Sequence, residues 1–141
     1  MSEHIRQTTP FRWEGIKVSP YKVDGTHFAG ITRQLLFDGG DGLACQLRYF
    51  EIEPGGYSTL ERHHHAHAIM VVRGPGRAYV RDRVVELATN DLVRVSPLTW
   101  HQFRAGDAPF GFLCMVDCGR DIPERPDAAA LAVLRADPAI A

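Results

Sequence analysis

The sequence predicts an all-β domain, a sandwich or barrel of short strands, from three observations. Runs of β-branched, aromatic and aliphatic residues recur along most of the chain, bounded by Gly, Pro, Asn or Asp. Their spacing is regular, with turn signals between neighbours. Only the tail departs from this pattern, where a stretch of good helix formers follows an acidic start.

Taken in order, residues 1–27 form an arm that packs along the body or a partner. Residues 31–37 make the first strand of the body, closed by Asp38-Gly39-Gly40-Asp41-Gly42. Residues 43–52 make the second, ending at Glu53-Pro54-Gly55-Gly56. The apolar run 68–72 stops at Gly74-Pro75-Gly76, and 77–80 and 84–87 flank a tight hairpin at Arg81-Asp82-Arg83. A turn pair, Asn90-Asp91, precedes the strand 92–95, which Ser96-Pro97 ends. Residues 110–116 form the last strand, stopping near Cys118-Gly119. Pro126-Asp127 then opens a helix over 128–135, with Pro138 as its stop. With no internal repeat, low-complexity linker or second core pattern, all 141 residues read as one domain: a core over about 28–118, the arm 1–27 and a tail, 119–141, that carries the helix.

Composition removes several function classes. Sixteen basic and seventeen acidic residues nearly cancel, so no basic field recruits nucleic acid or anionic membrane. No apolar run approaches the ~20 residues of a spanning helix, and the start lacks the charged-then-apolar order of a signal peptide. Cys45, Cys114 and Cys118 form an odd set with no C-x-x-C pair, which argues against a disulfide framework and for a cytoplasmic protein with free thiols. Cys114 and Cys118 are possible extra metal ligands, but free cysteine is ordinarily a small buried hydrophobe.

The segment Glu61-Arg62-His63-His64-His65-Ala66-His67 carries the chemistry. Neutral imidazole and carboxylate are ligands of first-row metals. Glu61, His63, His65 and His67 stand two residues apart in succession, so an extended chain points all four to one face. A helix over 60–72 competes, since His63 and His67 are four apart, but the β-rich run 69–72 ending in Gly-Pro-Gly favours a strand. One strand cannot surround a cation. His101, just past a Pro-containing turn, is the distant partner; His4, His27 and His64 take structural or surface roles. The bland alternatives are a solvated His-rich loop, and a surface Glu61 paired with Arg62 or Arg83.

Pro54-Gly55-Gly56-Tyr57, then Glu61 and His63, then His67, six further residues and Gly74 resemble the first motif of the cupin superfamily. Residues 90–101, from Asn90-Asp91 through Pro97 to His101, resemble the second, although Asn90 and Leu98 replace glycines of that pattern. The resemblance covers about residues 43–117. It implies a double-stranded β-helix, the jelly-roll cupin barrel, with a short C-terminal helix, and a homodimer in which N-terminal strands add to the partner's sheet. It also implies one divalent transition metal per chain (Zn, Mn, Fe, Ni or Cu) held by Glu61, His63, His67 and His101. Glu61 stands where His is usual, and His65 is the alternative ligand if the register shifts by two.

Arg48, Tyr49, Tyr57, Trp100, Gln102 and Phe103 are of the types that line such a pocket, with Gln102 or a backbone carbonyl available to orient a ligating ring. The expected function is a metal-dependent enzyme of dioxygenase or isomerase type, acting on a small molecule that chelates through two oxygens. The alternative is a non-catalytic metal or metabolite binder. A metal-free sugar epimerase would need a His–Asp pair and a Tyr, and no such set is evident in the sequence.

Overall fold

A computed structural model describes residues 2–135. Eleven strands and one helix follow in order: β1 (Gln7–Thr9), β2 (Arg12–Trp13), β3 (Val18–Pro20), β4 (Ala29–Gly40), β5 (Leu43–Tyr57), β6 (His67–Arg73), β7 (Gly76–Val80), β8 (Arg83–Leu87), β9 (Leu92–Val95), β10 (His101–Arg104), β11 (Phe110–Asp117) and α1 (Ala128–Arg135). Antiparallel pairing in the order β8-β7-β10-β5-β11-β6-β9, with β4 beside β5 and β3 beside β4, curls nine strands into a jelly-roll. The all-β expectation holds.

Local chemistry explains the main elements. The β4–β5 hairpin turns at Asp41-Gly42, with φ of 51° and 83°, the two positive values that a type I′ turn demands. Asp127 caps α1 by accepting the Ala130 amide at 2.8 Å. Leu134 then packs against Tyr79, with Leu60, Val84 and Trp100 around it. Pro138, the expected stop of this helix, lies outside the described residues.

Two local expectations are corrected, at Pro54-Gly55-Gly56 and in the arm. Pro54-Gly55-Gly56 does not end β5 but bends it, so that the strand leaves β11 and its Tyr57 lies between Ala29 of β4 and Arg104 of β10. Gly55 takes a φ of 78°, and a Cβ on Gly56 would meet the Ala29 carbonyl oxygen at 2.6 Å. The strand reading is kept over the competing helix at residues 60–66, which run irregularly extended into β6 with backbone bridges to His101 and Glu124. The arm carries β1, β2 and β3, each only two or three residues long and so too short to give a strand signal. It covers the outer face of β5, where Phe11 stacks on Tyr49 at 5.4 Å and the Gln34 amide donates to the Phe11 carbonyl at 3.0 Å.

Register organises the interior. Phe112 lies opposite Phe50 on one side and Val71 on the other; two residues along, Cys114 lies opposite Arg48 and Ile69. Ile69 faces Val93 and His67 faces Val95; Phe103 faces Ala78 and His101 faces Val80. On β5, β6 and β10 the inward face therefore passes from apolar to polar, from Phe50 to Arg48, Ile69 to His67 and Phe103 to His101. Phe50, Phe103, Phe110 and Phe112 fill the apolar end, with the Phe103–Phe112 rings 4.7 Å apart. Each such buried side chain contributes roughly 1.5–3 kcal/mol.

Candidate metal centre

The polar end of the barrel opens into a cavity of about 400 Å³, within the ~300–1,000 Å³ of small-molecule sites. The alternation expected for residues 61–67 is present despite the irregular backbone. Glu61 and His63 are buried and His65 and His67 half-buried on the cavity side, whereas His64 and Ala66 are exposed. A bridge between Glu61 and His101, with amide–carbonyl bonds of 3.1 and 3.0 Å, ties this segment to β10.

His63, His67 and His101 come together, their ligand nitrogens all within 4.8 Å of one another. The hydrogen bonds on the far side of each ring decide what those nitrogens can do. His63 Nδ1 faces the His65 carbonyl at 2.6 Å, and His101 Nδ1 faces the Thr99 carbonyl at 2.9 Å. A carbonyl only accepts, so Nδ1 carries the proton and Nε2 keeps its lone pair. His67 Nδ1 lies 2.9 Å from Cys114 Sγ, and its Nε2 faces His63 Nε2 at 2.6 Å. Tetrahedral ligands of a zinc-sized ion stand roughly 3.4 Å apart, a spacing these nitrogens bracket. The donor set fits a divalent transition metal.

Burial fixes the protonation state. It pushes the His63 imidazole down to about 4, helped by the neighbouring His101. Burial first, then His101 and His63, push His67 down further, and burial lowers His101 as well. All three are neutral at pH 7, as metal ligation requires.

The remaining expected ligands stand differently. Glu61 lines the cavity but its Oε2 accepts from Lys22 Nζ at 2.6 Å, so its partner is neither Arg62 nor Arg83. Arg62 instead pairs with Glu124 and lies over the Trp100 ring. His65 stacks on His63 with ring centroids 3.7 Å apart, and its Nδ1 meets Asp121 Oδ1 at 2.7 Å. Amides of His64 and His65 also donate to Asp121, and these bonds hold its carboxyl below the usual carboxylate range. His27 Nδ1 lies 2.8 Å from Thr59 Oγ1, away from the cluster.

Of the six residues expected to line the pocket, Arg48 and Phe103 do so. Tyr49 packs under the arm, Tyr57 donates to the Thr26 carbonyl, and Gln102 donates to the Ser58 carbonyl on the outer face. Backbone carbonyls, not Gln102, orient the rings. Sequence reasoning missed Tyr21, Lys22, Arg33, Arg120 and Asp121 on the cavity wall. Their signal was faint, because they come from the arm, β4 and the segment after β11. A His–Asp pair, His65–Asp121, and a tyrosine, Tyr21, do share the cavity, contrary to the sequence reading. The three cysteines are free; Cys114 is buried and Cys118 exposed. Among the described residues, no helix is long and apolar enough to cross a membrane.

Comparison with known proteins gives the same picture. A family model described as a cupin domain matches residues 48–116. The 1-methylthio-D-xylulose 5-phosphate methylsulfurylase of Rhodospirillum rubrum is 51% identical over 133 residues, covering 93% of this chain and 85% of that protein. A crystal structure of a cupin 2 conserved barrel domain protein from Rhodopseudomonas palustris is 48% identical, with a TM-score of 0.91 over 98% of this chain and 96% of that one. A cupin-2 domain structure from Rhodospirillum rubrum is also 48% identical, with a TM-score of 0.86 over 98% of this chain and 93% of that one. Likeness at this level runs through arm, barrel and tail alike, and the imidazoles converge from the two motif segments: the chain belongs to the cupin superfamily.

Proposed function

We propose that this chain is a metal-dependent enzyme acting on a small phosphorylated ketose with a sulfur substituent, the kind of compound in the name of its Rhodospirillum rubrum relative. The observation that carries the reading is the convergence of three neutral, oriented imidazoles on a cavity, in a chain 51% identical to that methylsulfurylase over 133 residues. Held by His63, His67 and His101, a divalent transition metal would keep open positions and polarise a carbonyl. A 2-ketose presents its carbonyl beside a hydroxyl, the two-oxygen chelate that the ligand set suggests.

The chain's own groups account for the rest. Burial pushes the Tyr21 phenol up, so it stays protonated and can donate to a substrate oxygen. Glu61, held by Lys22, is the cavity carboxylate able to take and return a proton beside the carbonyl. Cys118 is the exposed thiol of the wall. Transfer of a methylthio group to its thiolate would form a mixed disulfide and break the bond from sulfur to C1. The bonding pair would stay on C1, which is then protonated, and a thiol from solution would release Cys118.

The test is turnover of 1-methylthio-D-xylulose 5-phosphate with a soluble thiol, by tag-free protein loaded in turn with Zn(II), Mn(II), Fe(II), Ni(II) and Cu(II). Expected is turnover that a chelator removes and one metal restores. Binding of metal and sugar phosphate with no turnover under any loading would sink the proposal and favour a non-catalytic binder.

A further inference from the structure

The cavity wall holds more positive charge than its own acids answer. Its two carboxylates are already engaged, Glu61 with Lys22 and Asp121 with His65 and two backbone amides. Arg33, Arg48 and Arg120 line the same wall, and none has a carboxylate partner among the described residues. Arg48 is 8% exposed, and its Nε is buried without a hydrogen-bond partner. Its guanidinium lies over the Phe50 ring at 4.9 Å, and Nη2 reaches only the weak acceptor Cys114 Sγ at 3.4 Å. Arg33 sits opposite Phe50 across the β4–β5 ladder, on the face that carries Arg48 two residues along. Arg120 spends Nη1 on Gln46 Oε1 at 2.7 Å and the Asp117 carbonyl at 2.9 Å, which anchors it with its other donors free. Burial lowers the Arg120 guanidinium, and the fields of Arg48 and Arg33 lower it further, so the three cations feel one another.

Three mutually repelling guanidiniums with a buried unpaired N–H are stable together when an anion completes them. We propose that Arg33, Arg48 and Arg120 form the seat of the substrate's phosphate, a phosphomonoester dianion, leaving the sugar to extend toward the imidazoles. The proposal rests on the functional reading only for the identity of the sugar; the seat itself rests on the arginines. Forked N–H pairs match phosphate oxygens, which a lysine point charge does not.

Calorimetric titration of the metal-loaded protein with D-xylulose 5-phosphate, D-xylulose and inorganic phosphate tests this. Expected is at least about 100-fold tighter binding of the phosphorylated sugar than of D-xylulose, with inorganic phosphate competing. Arg33→Gln, Arg48→Met and Arg120→Gln should each cut that ratio about 10-fold or more, the range of a lost charge-assisted contact, with metal content and D-xylulose binding retained. Arg33→Gln and Arg120→Gln, at less buried positions, keep the test open if Arg48→Met fails to fold. Wild-type ratios in both would overturn the seat even if turnover is found. An intact ratio in the wild type, lost in the variants without any turnover, would leave the seat standing and sink the enzymatic reading alone.

Discussion

Acid should destabilise the metal-free protein through its imidazole cluster, and the effect can be sized. Unfolded His63 titrates near 6.5 and folded His63 near 4, because burial and a neighbouring imidazole disfavour its cation. A histidine depressed in the folded state stabilises fully above the unfolded value and loses that contribution as pH falls toward the folded one. At pH 5 the unfolded ring is largely protonated and the folded ring neutral, a difference of about 2 kcal/mol from His63 alone. Between pH 6 and 5 each such group adds a slope of about 1.4 kcal/mol per pH unit. His67 and His101 are lowered by the same burial, so the cluster approaches three protons of slope against a total stability of ~5–15 kcal/mol. Urea unfolding of chelator-treated protein at half-unit steps from pH 7.5 to 5 measures this directly. His63→Asn, whose amide can still donate to the His65 carbonyl, should reduce the slope by at least about one proton. Equal slopes in wild type and variant, or a wild-type stability flat across that window, would refute the reasoning.

Three further outcomes follow from the same geometry. His63→Ala and His101→Ala should each lose most bound metal by elemental analysis while circular dichroism still reports a folded barrel, and His65→Ala should lose little, since Asp121 holds that ring. Lys22→Met leaves the Glu61 carboxylate, 10% exposed, without its partner and should cost about 2–3 kcal/mol in urea unfolding, with Glu61→Gln in the same chain recovering most of it. Gly56→Val should cost about 2 kcal/mol or more, because its Cβ would meet the Ala29 carbonyl at 2.6 Å and Ile52 Cγ2 at 2.8 Å.

Legibility followed the range of the forces involved. The strand at Leu92–Val95 and the helix at Ala128–Arg135 have the bounds their local signals predict, because Asn90-Asp91, Ser96-Pro97 and the Asp127 cap act over a few residues. The inward set of Glu61, His63, His65 and His67 was legible because period two survives an irregular backbone. The strand His101–Arg104 was harder to see, being four residues long and stopped by Ala105-Gly106 rather than by a strong breaker. Which acid holds which cation was not legible at all. Lys22 reaches Glu61, and Asp121 reaches His65, only once the sheet has curled. Tyr49 shows the limit from the other side: it is fully buried, as its type suggested, but under the arm and not in the cavity.

One physical cause links the barrel's packing to its chemistry. Phe103 and Phe112 line the same cavity as the histidines, with the Phe103 ring centroid 6.4 Å from that of His101, and this apolar layer withdraws water from the cluster. Loss of that water drives the imidazoles to their neutral forms, so few protons need leave when a cation arrives. The same loss strengthens every charge interaction in the cavity, including that between an incoming dianion and the unpaired guanidiniums. A larger void at Phe112 should therefore act on the site as well as on stability. Phe112→Ala admits water to the cluster, raises the folded values of the imidazoles toward 6.5, and flattens the acid slope without removing a single ligand.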